Sequence, residues 1–199
     1  MLRVVVFSRR TDQNLCKWNL APRTDNHQYG EVNGERGKIV KGYQPSGSEI
    51  IPRCLLNEEQ VVRTVRNFLE RAKMAGVLPT RDFSIARILS SNAPPLLEIA
   101  QMVADSSFII APHGGSCYNA LFARRGTVFI EIVPTLGDVH SVFRFLSPLG
   151  LRVWLLAVPG GTHFPSPSHP FVVDPVKVVK VLSAELRTGN RGLDSMIAS

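Results

Sequence analysis

The sequence predicts an α/β protein built on a doubly wound, parallel, Rossmann-like sheet. Runs of β-branched and aromatic residues, such as residues 4–7 and 127–133, are continuous rather than alternating, which is typical of strands buried on both faces. Segments with the helical spacing of apolar residues separate these runs. Such alternation produces right-handed crossovers, and the ligands of these sheets bind beyond the carboxyl ends of the strands.

The elements follow one another regularly along the chain. After the strand at residues 4–7, the next periodic segment predicts a helix with Asn57 as its N-cap, Gln60 completing a capping box, and an end near Gly76. A last helix is expected with Asp174 as its N-cap. The remaining predicted elements are strands at residues 84–89, 108–111, 127–133 and 152–158, helices at 96–104 and 139–146, and a helical turn at 118–122.

A single domain is predicted to cover residues 1–188, followed by a frayed tail at 189–199. Residues 11–52 show little periodicity and are rich in Gly, Asn, Pro and charge. That composition predicts a long insertion, with a hairpin turn at Asn33-Gly34.

The charge is uneven along the chain. The net charge is +7, with 15 Lys/Arg against 9 Asp/Glu in residues 1–87 and 8 against 7 in residues 88–199. A basic first half suits an anionic ligand, whether a sugar nucleotide, a nucleic acid or a membrane surface. Nucleic acid is disfavoured because the basic residues are scattered and no known nucleic-acid motif is present. We expect no membrane contact from this chain, since no apolar run reaches about 18 residues and no targeting segment is recognised.

Several chemical motifs are missing from the sequence. The three cysteines, Cys16, Cys54 and Cys117, show no CxxC spacing, so neither a disulfide framework nor a zinc site is predicted. There is no GxGxxG, GxxxxGK[ST], HExxH or paired DxD motif. Dinucleotide, nucleoside triphosphate and metal-dependent interpretations therefore lose weight, and no metal is expected.

The turn after the strand at residues 108–111 is the strongest chemical signal. It contains His113, Gly114, Gly115 and Ser116. A glycine pair lets the backbone approach a ligand closely, and the free N–H groups that open the following helix favour phosphate. His113 is predicted to donate a hydrogen bond to phosphate or ribose, the alternative being a histidine merely held in place at a strand end.

Three further residues are candidates for the same site. Ser8 and Arg9 end the first strand at this rim, where the guanidinium can pair with two phosphate oxygens and the hydroxyl can donate to the same group; a surface salt bridge is the alternative for Arg9. Glu131 lies inside the apolar run at residues 128–133. Because a buried carboxylate is costly without a partner, we expect it to meet a ribose or sugar hydroxyl, or a helix N-terminus within the fold.

A serine hydrolase is the main competing interpretation. Residues 113–115 resemble an oxyanion-hole loop and Gly114-x-Ser116 resembles a nucleophile elbow, but Tyr118 stands where the elbow needs its second glycine. No candidate base has an evident acid partner in the sequence. The candidate bases are His140, His163 and His169.

Four blocks of the sequence resemble glycosyltransferase family 61, whose members include O-linked N-acetylglucosaminyltransferases of the endoplasmic reticulum and plant cell-wall xylosyl- and arabinosyltransferases. The blocks begin at Val5, Cys54, Ala111 and Gly126 and read VVFSRR, CLLNEE, APHGGSCYNALF and GTVFIEIVP. They are similar to the family's strand-Ser-Arg, Leu-Asn-Glu helix start, His-Gly-Ala-Gly turn and Glu-containing strand. The turn departs from that pattern at two positions, where Gly115 replaces Ala and Ser116 replaces Gly.

The resemblance implies a GT-B-like fold, in which two Rossmann-like domains face each other, with this chain as the C-terminal, donor-binding half and the N-terminal domain absent. It implies a UDP-sugar donor, a glycan or protein acceptor hydroxyl, inversion at the anomeric carbon, and neither metal nor cofactor. It further implies the secretory pathway, in the lumen of the Golgi or endoplasmic reticulum. The alternative is a truncated, non-catalytic nucleotide-binding homologue. The predicted donor-binding residues are Ser8, Arg9, His113, Gly114, Gly115, Ser116 and Glu131.

Overall fold

The computed structural model describes residues 1–9, 17–18, 49–50, 54–80, 82–133, 145–158 and 172–187. Strands and helices alternate through these ranges. The strands are β1 (Leu2–Ser8), β2 (Lys17–Trp18), β3 (Glu49–Ile50), β4 (Phe83–Leu89), β5 (Phe108–Pro112), β6 (Val128–Val133) and β7 (Arg152–Ala157). The α-helices are α1 (Glu58–Met74), α2 (Leu96–Ala104) and α3 (Pro175–Leu186), with 3₁₀ helices at Ser90–Asn92 and Gly115–Phe122.

Five of these strands form one sheet, in the order β4-β1-β5-β6-β7. Every neighbouring pair is parallel. If only the strands of this sheet are numbered along the chain, their order is 2-1-3-4-5, which is the order of flavodoxin-like doubly wound sheets. This order confirms the predicted α/β, Rossmann-like class. The direction of winding reverses between β1 and β5. The topological switch point therefore lies just beyond Ser8 and Pro112, where ligands of such sheets bind.

The sheet separates two apolar layers. Val4 and Val6 of β1 face the layer shared with α1 and α3, whereas Val5 and Phe7 face the layer shared with α2 and the second 3₁₀ helix. Strands β5 and β6 are buried along their whole length. A strand covered on both faces needs apolar residues at every position, which explains why the sequence shows continuous runs rather than alternation.

The N-cap position of α1 is the one predicted, but the predicted capping contacts are not made. Helix α1 follows Asn57, but the Asn57 side chain makes no capping hydrogen bond. Its Nδ2 donates to the Val173 carbonyl at 2.7 Å, and its Oδ1 accepts from the Val173 N–H at 3.1 Å. The predicted capping box is therefore wrong, because the amide pairs with a backbone segment from the entrance to α3. At α3 the predicted cap is confirmed, since Asp174 accepts from the Val176 N–H at 2.9 Å.

Other predictions have mixed outcomes. The helical turn at 118–122 belongs to a longer helix of the 3₁₀ type. Cys54 is disulfide-bonded, so the expectation of no disulfide is wrong at this residue. Within the predicted insertion, β2 and β3 pair antiparallel. No helix of the described ranges is long and apolar enough to cross a membrane. The hairpin turn at Asn33-Gly34, most of the predicted helix at 139–146 and the tail at 189–199 lie outside the described residues.

Candidate functional site

Two strand ends meet at the switch point of the sheet. Strand β1 leads into Arg9, and the neighbouring strand β5 leads into His113. The Arg9 Nη1 donates a long hydrogen bond of 3.4 Å to the His113 carbonyl. The structure therefore brings together the two segments that the sequence predicts to share one rim.

Gly114 lets the Arg9 guanidinium lie directly against the main chain. Its φ is +144°, a value that residues with a side chain rarely adopt. A Cβ at this position would lie 2.7 Å from Arg9 Nη1 and 3.2 Å from Arg9 Cζ. Only glycine satisfies both the backbone conformation and the contact. At Gly115, by contrast, a Cβ would meet nothing within 4 Å, so the turn faces open space at this residue.

The 3₁₀ helix Gly115–Phe122 begins at this open space. A hydrogen bond of 2.9 Å from the Cys117 N–H to the Gly114 carbonyl closes its first turn. The N–H groups of Gly115 and Ser116 precede that bond, as orphan donors do at the start of any helix. The sequence predicts an anion site at this turn, and the Arg9 guanidinium lies against its glycine Gly114. We call the arrangement of residues 113–116 the switch-point turn.

His113 is fixed on both its main chain and its side chain. Its N–H donates to the Ile132 carbonyl of β6 at 2.9 Å. Its imidazole Nδ1 lies 2.5 Å from Oε1 of Glu131. Glu131 thus has the polar partner expected for a buried carboxylate. The partner of its Oε1 is the His113 ring, and not the helix N-terminus or the ligand hydroxyl that the sequence suggests. The sequence could not show this pairing, because it depends on Ala111 lying opposite Glu131 in the register of β5 and β6.

Cys117 lies beneath this pair and was not predicted to belong to the site. Its Sγ is 3.8 Å from Glu131 Oε1 and 3.5 Å from the Pro112 carbonyl oxygen. Burial, together with the nearby charge of Glu131, raises the pKa of the Cys117 thiol well above its ordinary range. The thiol is therefore neutral and unreactive, which makes it a packing residue rather than a nucleophile.

Ser8 is buried at the end of β1. The residue is only 1% exposed, and its carbonyl accepts a hydrogen bond of 2.9 Å from Ser90 Oγ. This bond ties the end of β1 to the 3₁₀ turn that follows β4. A donor contact from Ser8 remains a prediction.

A second cluster, of one arginine and two glutamates, lies on the opposite face of the sheet and contains one buried residue, Glu58. Arg87 of β4 pairs with Glu58, which is completely buried, and with Glu59, whose Oε1 lies 2.6 Å from Arg87 Nη1. Burial opposes the charge of Arg87, but its hydrogen bonds to the two carboxylates outweigh burial and raise its pKa. The cluster fastens the first turn of α1 to the sheet.

The hydrolase arrangement is not assembled in the described part of the chain. Ser116 Oγ is buried but has no hydrogen-bond partner among the described residues, and the one histidine described, His113, is bonded to Glu131. A serine nucleophile needs a hydrogen bond to its base. The other proposed bases lie outside the described residues; they are His140, His163 and His169. In the described ranges, no group of three or more His, Cys, Asp or Glu side chains could hold a metal ion.

A comparison with known families gives one match. Residues 23–130 match the family model described as Glycosyltransferase 61. The matched range begins within the segment predicted as an insertion and ends inside β6. It contains the switch-point turn but neither Arg9 nor Glu131. No curated protein matches the chain.

Proposed function

The chain belongs to the glycosyltransferase 61 family, whose model covers more than half of it, and we propose that its switch point binds the diphosphate of a UDP-sugar donor. The sugar would pass to a hydroxyl of a glycan or protein acceptor. The acceptor oxygen attacks the anomeric carbon and gives its proton to a general base that we do not assign, while the bond to the diphosphate oxygen breaks, so the configuration inverts. Transfer of this kind needs a site that accepts the charge of the leaving diphosphate.

The contact between Arg9 and Gly114 is the observation that supports the proposal. The guanidinium lies against a glycine backbone at the switch point, beside open space and two helix-opening N–H groups. A guanidinium can pair with two phosphate oxygens at once, and N–H groups at a helix start favour phosphate. Donors fixed before the reaction stabilise developing negative charge without reorganising. We therefore propose that Arg9, Gly115 and Ser116 stabilise the leaving diphosphate without a metal ion.

The secretory pathway is the proposed location of this enzyme. The disulfide at Cys54 supports it, because structural disulfides persist in oxidising compartments and are rare in the cytosol. The only other cysteine besides the free Cys117 is Cys16. Mass spectrometry of unreduced peptides from secreted and cytosolic expression tests this assignment: we expect Cys54 in a disulfide-linked peptide, and full activity of a Cys54→Ser variant made in the cytosol would count against it.

Titration calorimetry tests the donor site. We expect the native chain to bind UDP, UDP-N-acetylglucosamine or UDP-xylose saturably, and Arg9→Ala to weaken binding at least tenfold. A matched control is Arg71→Ala, which removes an exposed arginine near the end of α1 without touching the switch point. Equal losses from both arginines would indicate a general charge effect, and failure of a folded sample to bind all three ligands would overturn the proposal.

Turnover separates the enzyme from a non-catalytic homologue. The assay follows release of UDP from the bound sugar nucleotide, with and without candidate acceptors. We expect release that Arg9→Ala abolishes. Binding without release under every acceptor condition would favour the non-catalytic, nucleotide-binding alternative.

A further inference from the structure

Glu131 has no surface with which to touch a ligand. The residue is 0% exposed and its side chain only 1% exposed. It projects from β6 into the layer that holds Phe129 and Cys117. A carboxylate in this position can influence bound ligand only through a neighbour, and the neighbour that it contacts most closely is His113.

The chemistry of this contact specifies one nitrogen of the imidazole. A hydrogen bond between these atoms needs one proton, and a carboxylate that accepts this bond requires the proton to be on the His113 nitrogen facing it, Nδ1. The second nitrogen, Nε2, is then the one left for other partners. The ring retains 9% of its side-chain surface, enough for a contact through one edge.

The backbone of His113 is held as firmly as its ring. Its N–H is bonded to the Ile132 carbonyl in β6, and its own carbonyl accepts from Arg9. His113 therefore makes two hydrogen bonds through its main chain and one through its imidazole, all at the switch point. Such an arrangement is typical of a histidine whose orientation matters, because a carboxylate partner sets both the tautomer and the angle of the ring.

We infer that Glu131 is a positioning residue that never touches the donor but holds His113 so that Nε2 faces the bound UDP-sugar. The inference rests on the proposed function, since it assigns a ligand to that face of the ring. It changes the role predicted for Glu131 from direct contact with a sugar or ribose hydroxyl to an indirect one. A direct role and an indirect role predict different results in a double-mutant cycle.

The cycle combines Glu131→Gln with His113→Ala and measures UDP affinity by calorimetry. We expect Glu131→Gln alone to weaken binding about tenfold, by analogy with carboxylates that orient a metal-ligating histidine. In the His113→Ala background the same change should have no further effect. An equal loss in both backgrounds would show that Glu131 contacts the ligand itself, and would overturn the inference.

Two matched variants sharpen the cycle. Cys117→Ala alters another neighbour of the same carboxylate without removing the bond to His113, and we expect less than a twofold change in affinity. Glu131→Asp keeps a carboxylate but withdraws it, and we expect partial rescue relative to Glu131→Gln. If Glu131→Asp binds UDP no better than Glu131→Gln, and Cys117→Ala also weakens UDP binding tenfold, Glu131 has only a packing role.

Nuclear magnetic resonance of the native chain tests the inference without any ligand. Long-range ¹H–¹⁵N correlations report which imidazole nitrogen is protonated, and we expect Nδ1 of His113 to carry a proton. A neutral ring protonated only at Nε2 would overturn the positioning role. Absence of UDP binding would instead contradict the proposed function and leave the tautomer as a separate measurement.

Discussion

Two clusters, each with a buried carboxylate, lie on opposite faces of the same sheet and differ in what surrounds them. The pair of His113 and Glu131 adjoins the open space at the switch-point turn, whereas Arg87 closes on Glu58 and Glu59 and fastens a helix to a strand. Burial of a carboxylate is common to both. The comparison teaches that a buried charge marks a site of function only where a neighbouring polar group reaches space that a ligand can enter.

The largest effect is expected from breaking the cluster that has no such space. Arg87→Met should leave the completely buried Glu58 without its partner and cost about 3–5 kcal/mol of unfolding free energy. We expect a melting temperature lower by roughly 10 °C for a chain of this size. Thermal unfolding followed by circular dichroism measures the loss.

A control for Arg87 comes from an exposed pair that joins the same helix to the residue just before the same strand. Lys73 and Asp82 lie 2.9 Å apart, and both side chains are more than 40% exposed. Exposed pairs contribute little, so Lys73→Met should leave the melting temperature unchanged. Equal decreases in melting temperature for the two variants would mean that Arg87 is not needed to stabilise the buried Glu58.

The switch-point turn offers a sharper comparison between adjacent glycines. Gly114→Ala should cost about 1–3 kcal/mol, because alanine is strained at that φ and its Cβ would displace the Arg9 guanidinium. We also expect it to abolish UDP binding. Gly115→Ala places a methyl group in open space and restores the residue usual at this position in the family resemblance, so stability and affinity should be kept.

Chemical denaturation and calorimetry of the two glycine variants decide between local geometry and a general effect of crowding. If Gly115→Ala abolishes UDP binding while the fold is intact, the ligand lies closer to the Gly115 backbone than contacts with Arg9 and two N–H groups require. If Gly114→Ala binds UDP normally, the proposed contact with Arg9 has no role in binding.

A smaller effect is expected where the two helices on the α1 face meet. Asn57→Ala removes two hydrogen bonds to the Val173 backbone and leaves a partly buried peptide without partners, at a cost of about 1–2 kcal/mol. Asp174→Ala removes a helix cap and should cost about 1 kcal/mol. Urea denaturation of both variants ranks the two. If Asp174→Ala lowers the free energy of unfolding more than Asn57→Ala does, the hydrogen bonds of Asn57 to Val173 contribute little to stability.

The sequence predicts the layers of this molecule better than the pairings between them. Continuous apolar runs identify the buried strands, and Asp174 caps its helix through a contact two residues away. Asn57 looks like a local cap, yet its amide binds Val173, 116 residues further along the chain. His113 and Glu131 were each singled out, but their bond depends on strand register, which no local pattern contains. Local chemistry is readable from sequence, whereas contacts across strands need the assembled fold.

The smallest effect on stability is expected from Cys117, which lies next to the pair of His113 and Glu131. Burial raises the pKa of this thiol in the folded chain, while the unfolded thiol titrates near pH 9. Below pH 9 the thiol is neutral in both states and its contribution to stability is complete. Above pH 9 the unfolded chain loses a proton that the folded chain keeps, so stability should fall by up to about 1.4 kcal/mol per pH unit from this group.

Denaturation at pH 8 and pH 10 separates this contribution from the titration of other groups. The native chain should lose about 1 kcal/mol more than a Cys117→Ala variant between the two pH values. The same loss in both proteins would mean that the thiol ionises in the folded state. That result would place a thiolate sulfur 3.8 Å from Glu131 Oε1, and the carboxylate would then face a second negative charge beside the hydrogen bond to His113 that the positioning role requires.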